Sequence, residues 1–423
     1  MTLFEELSWR GFVNQMTHQE LPELLEKEAF TLYCGFDPSA DSLHIGSLLP
    51  ILGLVHFQRH GHNPIALVGG GTGLIGDPSG KASERAMLNK EEVLHNVEGI
   101  RKQLERFLDF DGPHAAKLLN NGDWLGEVKL LDFLRDVGKF FSVNMMLNRE
   151  TVRVRLDEEG RGISYTEFSY ILLQSYDFLY LNKHYGCRLQ LGGSDQWGNI
   201  VSGMDLSRRL ANAETYGLTF PLVTKSDGSK FGKSEGGNIW LDANRTSPYR
   251  FYQFWLNQSD SDVGRYLRFF SFLEEEEVHA LENAVIEKPQ ERAAQKKLAE
   301  EVTKLVHGDT ALENAKHASN AMFGGDISRL DAATLKDVFS EVPSAQLSAK
   351  VLNTEPLLLD ALVEAQVFKS KGEGRRLIRS GGLYINNSRI DGEDQKLTSS
   401  CLLSGDMMVV RTGKKNYFLL DFS

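Results

Sequence analysis

Two short segments far apart in the chain carry the groups that polyphosphate chemistry needs. The first is Tyr33-Cys34-Gly35-Phe36-Asp37-Pro38, followed at once by Leu43-His44-Ile45-Gly46. It sets an apolar strand, a glycine turn and a histidine at a helix start, a succession that seats a nucleotide triphosphate on backbone N–H groups at a helix N-terminus. The second, Lys230-Phe231-Gly232-Lys233-Ser234, puts two ammonium groups three positions apart around a glycine, after a turn begun by Ser226-Asp227-Gly228-Ser229. Such a charge run is ordinarily a solvated loop. As a clamp on a departing pyrophosphate it acts chiefly in the transition state, raising turnover rather than affinity. The pair points to an enzyme that activates a substrate with ATP.

A third group lies between them, in Tyr170-Ile171-Leu172-Leu173-Gln174-Ser175-Tyr176-Asp177. Helical spacing of i, i+4 and i+7 brings the Tyr170 phenol, the Gln174 amide and the Asp177 carboxylate to one face. A polar outer face is the plain reading. The neighbours Ile171, Leu172, Leu173 and Phe178 imply burial instead, and buried polar groups need partners that a ligand can supply. Gly192-Gly193-Ser194-Asp195-Gln196-Trp197-Gly198-Asn199 closes a strand with two glycines and an acid, a fitting place for ribose hydroxyls. His44 alone reads as a surface or cap residue. Beside the hydroxyl- and carboxylate-rich turn Asp37-Pro38-Ser39-Ala40-Asp41-Ser42 and the permissive Gly46, it reads better as a stabiliser of phosphate charge.

Gly71-Thr72-Gly73-Leu74-Ile75-Gly76 satisfies GxGxxG, but Asp77-Pro78-Ser79-Gly80 follows immediately and ends a helix rather than opening one, so a dinucleotide site is rejected. The glycines fit a backbone passing close to a ligand, with Asp77 presented at a strand end; a simple turn explains the spacing equally well.

The elements that must position these groups follow from pattern. Apolar runs at 31–35, 64–69 and 187–191 alternate with helical-period segments at 48–59 and 166–181, which predicts an α/β fold with a Rossmann-like, doubly wound parallel sheet. The expected domains are a catalytic domain over 1–248 including the KFGKS loop, a small helical domain over 249–323, a linker over 324–355, and a C-terminal α+β module over 356–423. That last stretch has ten basic and eight acidic residues, a net +2, within a chain of net charge −11. An acidic chain of 423 residues does not coat nucleic acid non-specifically, so RNA contact must be local. The three cysteines, Cys34, Cys187 and Cys401, form no CxxC pair or even disulfide set, no zinc site is readable, and neither a signal peptide nor a bilayer-length apolar run occurs. A cytoplasmic enzyme is expected.

YCGFDP, GDPSGK, QSYDF, GGSDQWGN and KFGKS occur in the order found in bacterial tyrosyl-tRNA synthetases, and the chain resembles that class I family over essentially its whole length. His44-Ile45-Gly46-Ser47 corresponds to the family's HIGH signature and Lys230 to Ser234 to its KMSKS loop. Lys369 to Ile378, with Gly381 to Asn386, is similar to a small ribosomal-protein-type RNA-binding domain. The resemblance implies that Tyr33 and Asp177 hold the substrate's phenolic hydroxyl, that Asp77, Tyr170 and Gln174 surround its ammonium group, and that Gln196 lies beside them. It implies Asp37, Gly193 and Asp195 at adenosine or its ribose, with Cys34, Gly35, Ser39, Gly46 and Ser47 completing the ATP site. His44, Lys230 and Lys233 would meet the phosphates, with Lys81 and Arg85 on a loop that helps hold the phosphates or the acceptor end of the tRNA. Lys369, Lys371, Arg375, Arg376 and Arg379 would contact RNA.

The implied partners are L-tyrosine, ATP, tRNA(Tyr) and a second copy of the chain, with Mg2+ travelling on the nucleotide rather than in a protein cage. A carboxylate set against a phenol is left unpaired by phenylalanine, and tyrosyl synthetases are themselves the known example of such discrimination without editing. Two rivals are open: a tryptophanyl relative, whose indole lacks a hydroxyl for Tyr33 and Asp177, and an RNA-binding protein that keeps the fold without catalysis. The second gains from one departure, since the family's second signature histidine is Ser47 here; Ser39 replaces a threonine and keeps the hydroxyl.

Overall fold

The computed structural model describes residues 1–79, 88–157, 162–228, 231–234, 237–321, 324–340, 342–404, 406–413 and 416–422. It divides into two compact units, Met1–Arg245 with Gln258–Leu298, and Thr246–Asn257 with Ala299–Ser423.

The first unit is built on a sheet of β1 (Gln15–Met16), β2 (Thr31–Phe36), β3 (Asn63–Val68), β4 (Lys117–Asn120), β5 (Cys187–Gly193) and β6 (Tyr216–Phe220). Their order is β1-β6-β5-β2-β3-β4, and every pair is parallel except the edge pair β1–β6. The core strands are buried on both faces, which is why they read as continuous apolar runs rather than alternating ones. The chain winds from β2 outward through β3 to β4, then returns to the other side of β2 for β5 and β6. That reversal opens a crevice at the carboxyl ends of β2 and β5, where ligands of open α/β sheets bind.

Two helices carry the residues around that crevice. Leu48–Arg59 follows a 3-10 turn at Ile45–Ser47 and buries nine residues against the sheet, from Leu48 to Phe57. Tyr165–Tyr185 begins at Ser164, whose side chain accepts from the Glu167 amide, and ends on Gly186 at φ +64°, a left-handed cap that glycine adopts without strain. Its buried Glu167 pairs with the equally buried Arg155 at 3.1 Å. The stretch at 71–76 forms a 3-10 turn at Thr72–Leu74 and opens no α-helix, as the proline after Asp77 demands. Asp77 lies beyond that turn, not at the end of β3 as expected. β7 (Lys233–Ser234) and β8 (Gly237–Asn238) form a small hairpin.

In the second unit, β9 (Ser344–Gln346), β10 (Leu383–Ile385), β11 (Ser388–Arg389), β12 (Met407–Thr412) and β13 (Asn416–Asp421) form a sheet in the order β11-β10-β12-β13-β9. One face, with Met408, Val410 and Leu420, packs on Leu358, Leu362 and Ile378; the other, with Met407, Val409 and Leu419, packs on Ala318, Ile327, Leu335 and Phe339. This corrects the reading of 324–355 as a linker. Ala332–Val338 is a helix in that core, and β9 adds a parallel edge strand to β13. A seven-residue helix and a three-residue strand are too short to show a period.

Candidate functional site

The crevice is a cavity of about 500 Å3, within the range of small-ligand sites. Its lining includes Tyr33, Cys34, Gly35, Asp37 and Ser39 from β2 and the turn after it, and His44, Gly46 and Ser47 from the following 3-10 turn. Asp77, then Tyr170, Gln174 and Asp177 from the long helix, and Gly193, Asp195 and Gln196 after β5 complete the set read from sequence. Lys81, Arg85 and Lys230 lie outside the described residues. For Lys233 the backbone is described, in β7. Lys369, Lys371, Arg375, Arg376 and Arg379 are exposed on or beside the helix Lys371–Arg379. There Lys371 pairs with Asp360, while Arg375 and Arg379 both pair with Glu393.

At the deep end, Asp177 is 2% exposed and its two carboxylate oxygens accept from the Asn121 amide at 2.9 Å and the Trp124 indole at 2.8 Å. Burial pushes its pKa up to about 7, and the two donors work against that rise. Tyr33 is 1% exposed, its pKa is raised by burial and by Asp177, and its hydroxyl has no hydrogen-bond partner among the described residues. The carbonyl oxygens of Gln174 and Gln190 are likewise unpartnered there. Buried polar atoms are normally satisfied, so three orphans around one cavity mark it as shaped for a polar ligand.

A second network lies nearer the mouth. Asp37 accepts from the Tyr170 phenol at 2.8 Å and the Thr72 hydroxyl at 2.9 Å, and Asn121 donates onward to Thr72 at 3.0 Å. The resemblance put Asp37 on the nucleotide side and Tyr170 on the ammonium side; the structure joins them directly. Gly69 permits this, because a Cβ there would overlap Asp37 Oδ1 and Thr72 Oγ1. Asp77 accepts from the Ser79 amide at 2.8 Å and from Gln196 at 2.8 Å, and Gln196 in turn accepts from Gln174 at 3.2 Å.

His44 caps its 3-10 turn, its Nδ1 accepting from the Gly46 amide at 3.0 Å. The neutral ring therefore keeps its hydrogen on Nε2 as a donor. A Cβ on residue 46 would lie 2.7 Å from the imidazole, so the glycine is a condition of this arrangement. The backbone of His44 bridges to Trp240, and the Ile45 amide donates to the Ile239 carbonyl at 3.0 Å, which ties the histidine turn to the segment that follows β8.

Thr72, Asn121, Trp124 and Gln190 were missed in the sequence. Two signals could have found Asn121 and Gln190: the Asn120-Asn121 pair at the end of β4, and a glutamine between the two leucines of β5. Trp124 gave none.

A mostly parallel sheet with a polar cleft at its switch point, a histidine-glycine turn beside it and a buried carboxylate in its lining is an arrangement able to hold a nucleotide together with a polar substrate. The family model "tRNA synthetases class I (W and Y)" matches residues 25–324, and that of the "Tyrosine--tRNA ligase SYY-like C-terminal domain" matches 334–420. A Tyrosine--tRNA ligase of Roseiflexus castenholzii is 54% identical over 421 residues, 99% of each chain, and one of Staphylococcus epidermidis is 51% identical over 422 residues at the same coverage. Among solved structures, a C-terminally truncated mitochondrial tyrosyl-tRNA synthetase of Aspergillus nidulans matches with TM-score 0.69 and 29% identity, over 76% of this chain and 94% of that one. The chain belongs to the class I tRNA synthetases and, within them, to the tyrosine–tRNA ligases. Its reaction joins tyrosine to tRNA at the expense of ATP. The tryptophanyl and binding-only readings are thereby set aside.

With a substrate phenol on Asp177, as the resemblance implies, the raised carboxyl would give tyrosine recognition a pH dependence. A phenol donating to the carboxylate favours the ionised form, so binding at low pH must first expel a proton. With a free-enzyme pKa of about 7, the affinity for tyrosine is expected to be about tenfold weaker at pH 6 than at pH 8. Phenylalanine, lacking the hydroxyl, is expected to bind with little change over the same window. Trp124→Phe removes a donor that lowers the pKa, so the midpoint of the tyrosine profile moves upward. Tyrosine KM in pyrophosphate exchange, measured at half-unit pH steps, reads the first and the third, and inhibition of that exchange by phenylalanine reads the second; an unchanged midpoint in the variant contradicts the assignment.

Proposed function

We propose that the cavity binds tyrosine with its phenol at Tyr33 and Asp177 and its ammonium among Asp77, Tyr170 and Gln174, with Gln196 alongside. The single observation that carries this reading is the burial, in the lining of one cavity, of a Tyr33 hydroxyl with no hydrogen-bond partner among the described residues and of the Asp177 carboxylate, whose charge acts on that phenol. Adenosine and its ribose lie against Gly193, Asp195 and Asp37, with Cys34, Gly35, Ser39, Gly46 and Ser47 around them. His44 donates from Nε2 to a phosphate oxygen, and Lys230 and Lys233 meet the remaining phosphate charge, with Lys81 and Arg85 assisting or meeting the acceptor end.

The first step needs no general base. The ionised carboxylate of tyrosine attacks the α-phosphorus, a carboxyl O–P bond forms, the α–β bridging P–O bond breaks and pyrophosphate leaves. The protein aligns the two reactants and neutralises the developing charge. In the second step a hydroxyl of the tRNA's terminal ribose attacks the acyl carbon and AMP departs. Among the described residues no three His, Cys, Asp or Glu side chains converge. In this reading the ion arrives on the phosphates, and no step is assigned to it.

RNA contact by Lys369, Lys371, Arg375, Arg376 and Arg379 is supported by their common exposure along and just before the helix Lys371–Arg379, and a homodimer in the cytoplasm completes the proposal. No helix of the described residues is long and apolar enough to cross a membrane.

The test is tyrosine-dependent exchange of pyrophosphate into ATP. Tyrosine alone supports it and tryptophan does not; exchange driven equally by both would overturn the assignment of the pocket. Ser47 lines the cavity without capping the helix it precedes, so Ser47→His is expected to leave the melting temperature unchanged and to alter adenylate formation by less than about tenfold. Complete loss of activity in that variant contradicts the placement of the nucleotide.

A further inference from the structure

The lysine-bearing loop contains an aromatic residue that its phosphate chemistry does not use. Phe231 stacks on Phe270 with ring centroids 5.5 Å apart and planes 8° from parallel, and it meets Tyr266 at 4.9 Å. Both partners lie on the helix Asp260–Phe270 and both are fully buried. The same helix holds the approach to the loop. Asp262 accepts from the Ser226 amide at 2.9 Å and from its hydroxyl at 3.2 Å, while the Tyr266 phenol and Arg265 donate to the Thr224 carbonyl.

Beyond Phe231 the chain turns at Gly232, φ +86°, packed against Ile45. The Gly232 carbonyl accepts from the Ile239 amide at 3.0 Å, and Lys233 pairs with Asn238 in the β7–β8 hairpin. The backbone that bears Lys233 is thus fixed on one side by the histidine turn and on the other by an aromatic seat.

We propose that Phe231 is a positioning residue: docked on Tyr266 and Phe270, it sets the register from which Lys233 reaches the nucleotide's phosphates. The reason is geometric. Ser226 and Thr224 anchor the loop's root, Gly232 supplies a turn that other residues resist, and between them the ring is the apolar contact that fixes where the backbone begins its return. Stacked aromatic pairs are favourable beyond the burial of their area, which selects one loop setting over others of similar energy. A reacting group misplaced by about 1 Å can lose about a hundredfold in rate.

The inference rests on the reading of Lys233 as a phosphate contact, and the experiment separates the two. Phe231→Ala, Lys233→Ala, the double variant and Phe231→Met are compared in pyrophosphate exchange on the full chain, with melting temperatures and tyrosine KM. Phe231→Ala is expected to lower kcat by tenfold to a hundredfold with tyrosine KM unchanged. Phe231→Met, which keeps an apolar side chain in the seat, recovers most of that loss. In the double variant, loss of Phe231 adds little to Lys233→Ala, because the ring acts through the lysine.

A normal rate in Lys233→Ala overturns the phosphate reading. A clear loss there, with Phe231→Ala either normal or fully additive, overturns the positioning role alone. An equal change in tyrosine KM also overturns it, since a general disturbance of the unit would affect the amino-acid pocket as well.

Discussion

Asp177→Asn is expected to lower the preference for tyrosine over phenylalanine by about ten- to a hundredfold. The carboxylate is held at the closed end of the cavity by two donors, Asn121 and Trp124, which leaves acceptor capacity toward the ligand and no donor. A phenol satisfies that capacity. Phenylalanine buries the carboxylate unpaired, and an unmade hydrogen bond to a buried charged group costs about 1.5–3 kcal/mol. An amide offers one oxygen where the carboxylate offers two, and its NH2 faces the same two donors, so part of the penalty against phenylalanine disappears together with part of the affinity for tyrosine. Exchange kinetics with each amino acid give the ratio of kcat/KM directly. The pH dependence of tyrosine KM should flatten in the same variant. A ratio unchanged from the parent enzyme would place the phenol elsewhere.

Replacing Lys230 and Lys233 together by alanine should depress the activation rate by about a hundred- to a thousandfold, the range found when groups that stabilise transition-state charge are removed. The tyrosine KM should stay close to its original value. Negative charge accumulates on the phosphate oxygens as the α–β bond breaks, so cations placed for that stage contribute to kcat, while the amino-acid pocket is built from other elements and keeps its affinity. The measurement is exchange at saturating tyrosine and ATP together with equilibrium binding of tyrosine. Equal loss of rate and tyrosine affinity contradicts a transition-state role for the loop.

Much of this site was legible in the chain. Helical spacing alone brought Tyr170, Gln174 and Asp177 to one face, and all three line the cavity. The strand–turn–histidine succession at 33–46 located the mouth, because an apolar run stopped by a proline-containing turn and resumed at a helix start is a local pattern. The helix at 48–59 and the three central strands were readable from apolar runs, since parallel strands buried on both faces leave a strong signal. The edge strand β1 and the strand β9 were not, being two and three residues long and defined by their partners rather than by their own pattern.

The donors that hold Asp177 were beyond the reach of spacing. Asn121 and Trp124 lie more than fifty positions away in sequence, on the segment following β4, and arrive beside the carboxylate only because the sheet orders β4 next to β3 and the long helix covers that face. The same holds for Asp37 and Tyr170, joined across 133 positions, and for Phe231 on its aromatic seat.

Sequence by itself determined which chemical groups are present and which of them share a strand end, a turn or a helix face, because those relations depend on local backbone geometry. Tertiary structure decided which groups are buried together, which of them satisfy one another and which are left for a ligand. Desolvation and hydrogen-bond satisfaction depend on neighbours from remote segments, and no local period encodes those neighbours.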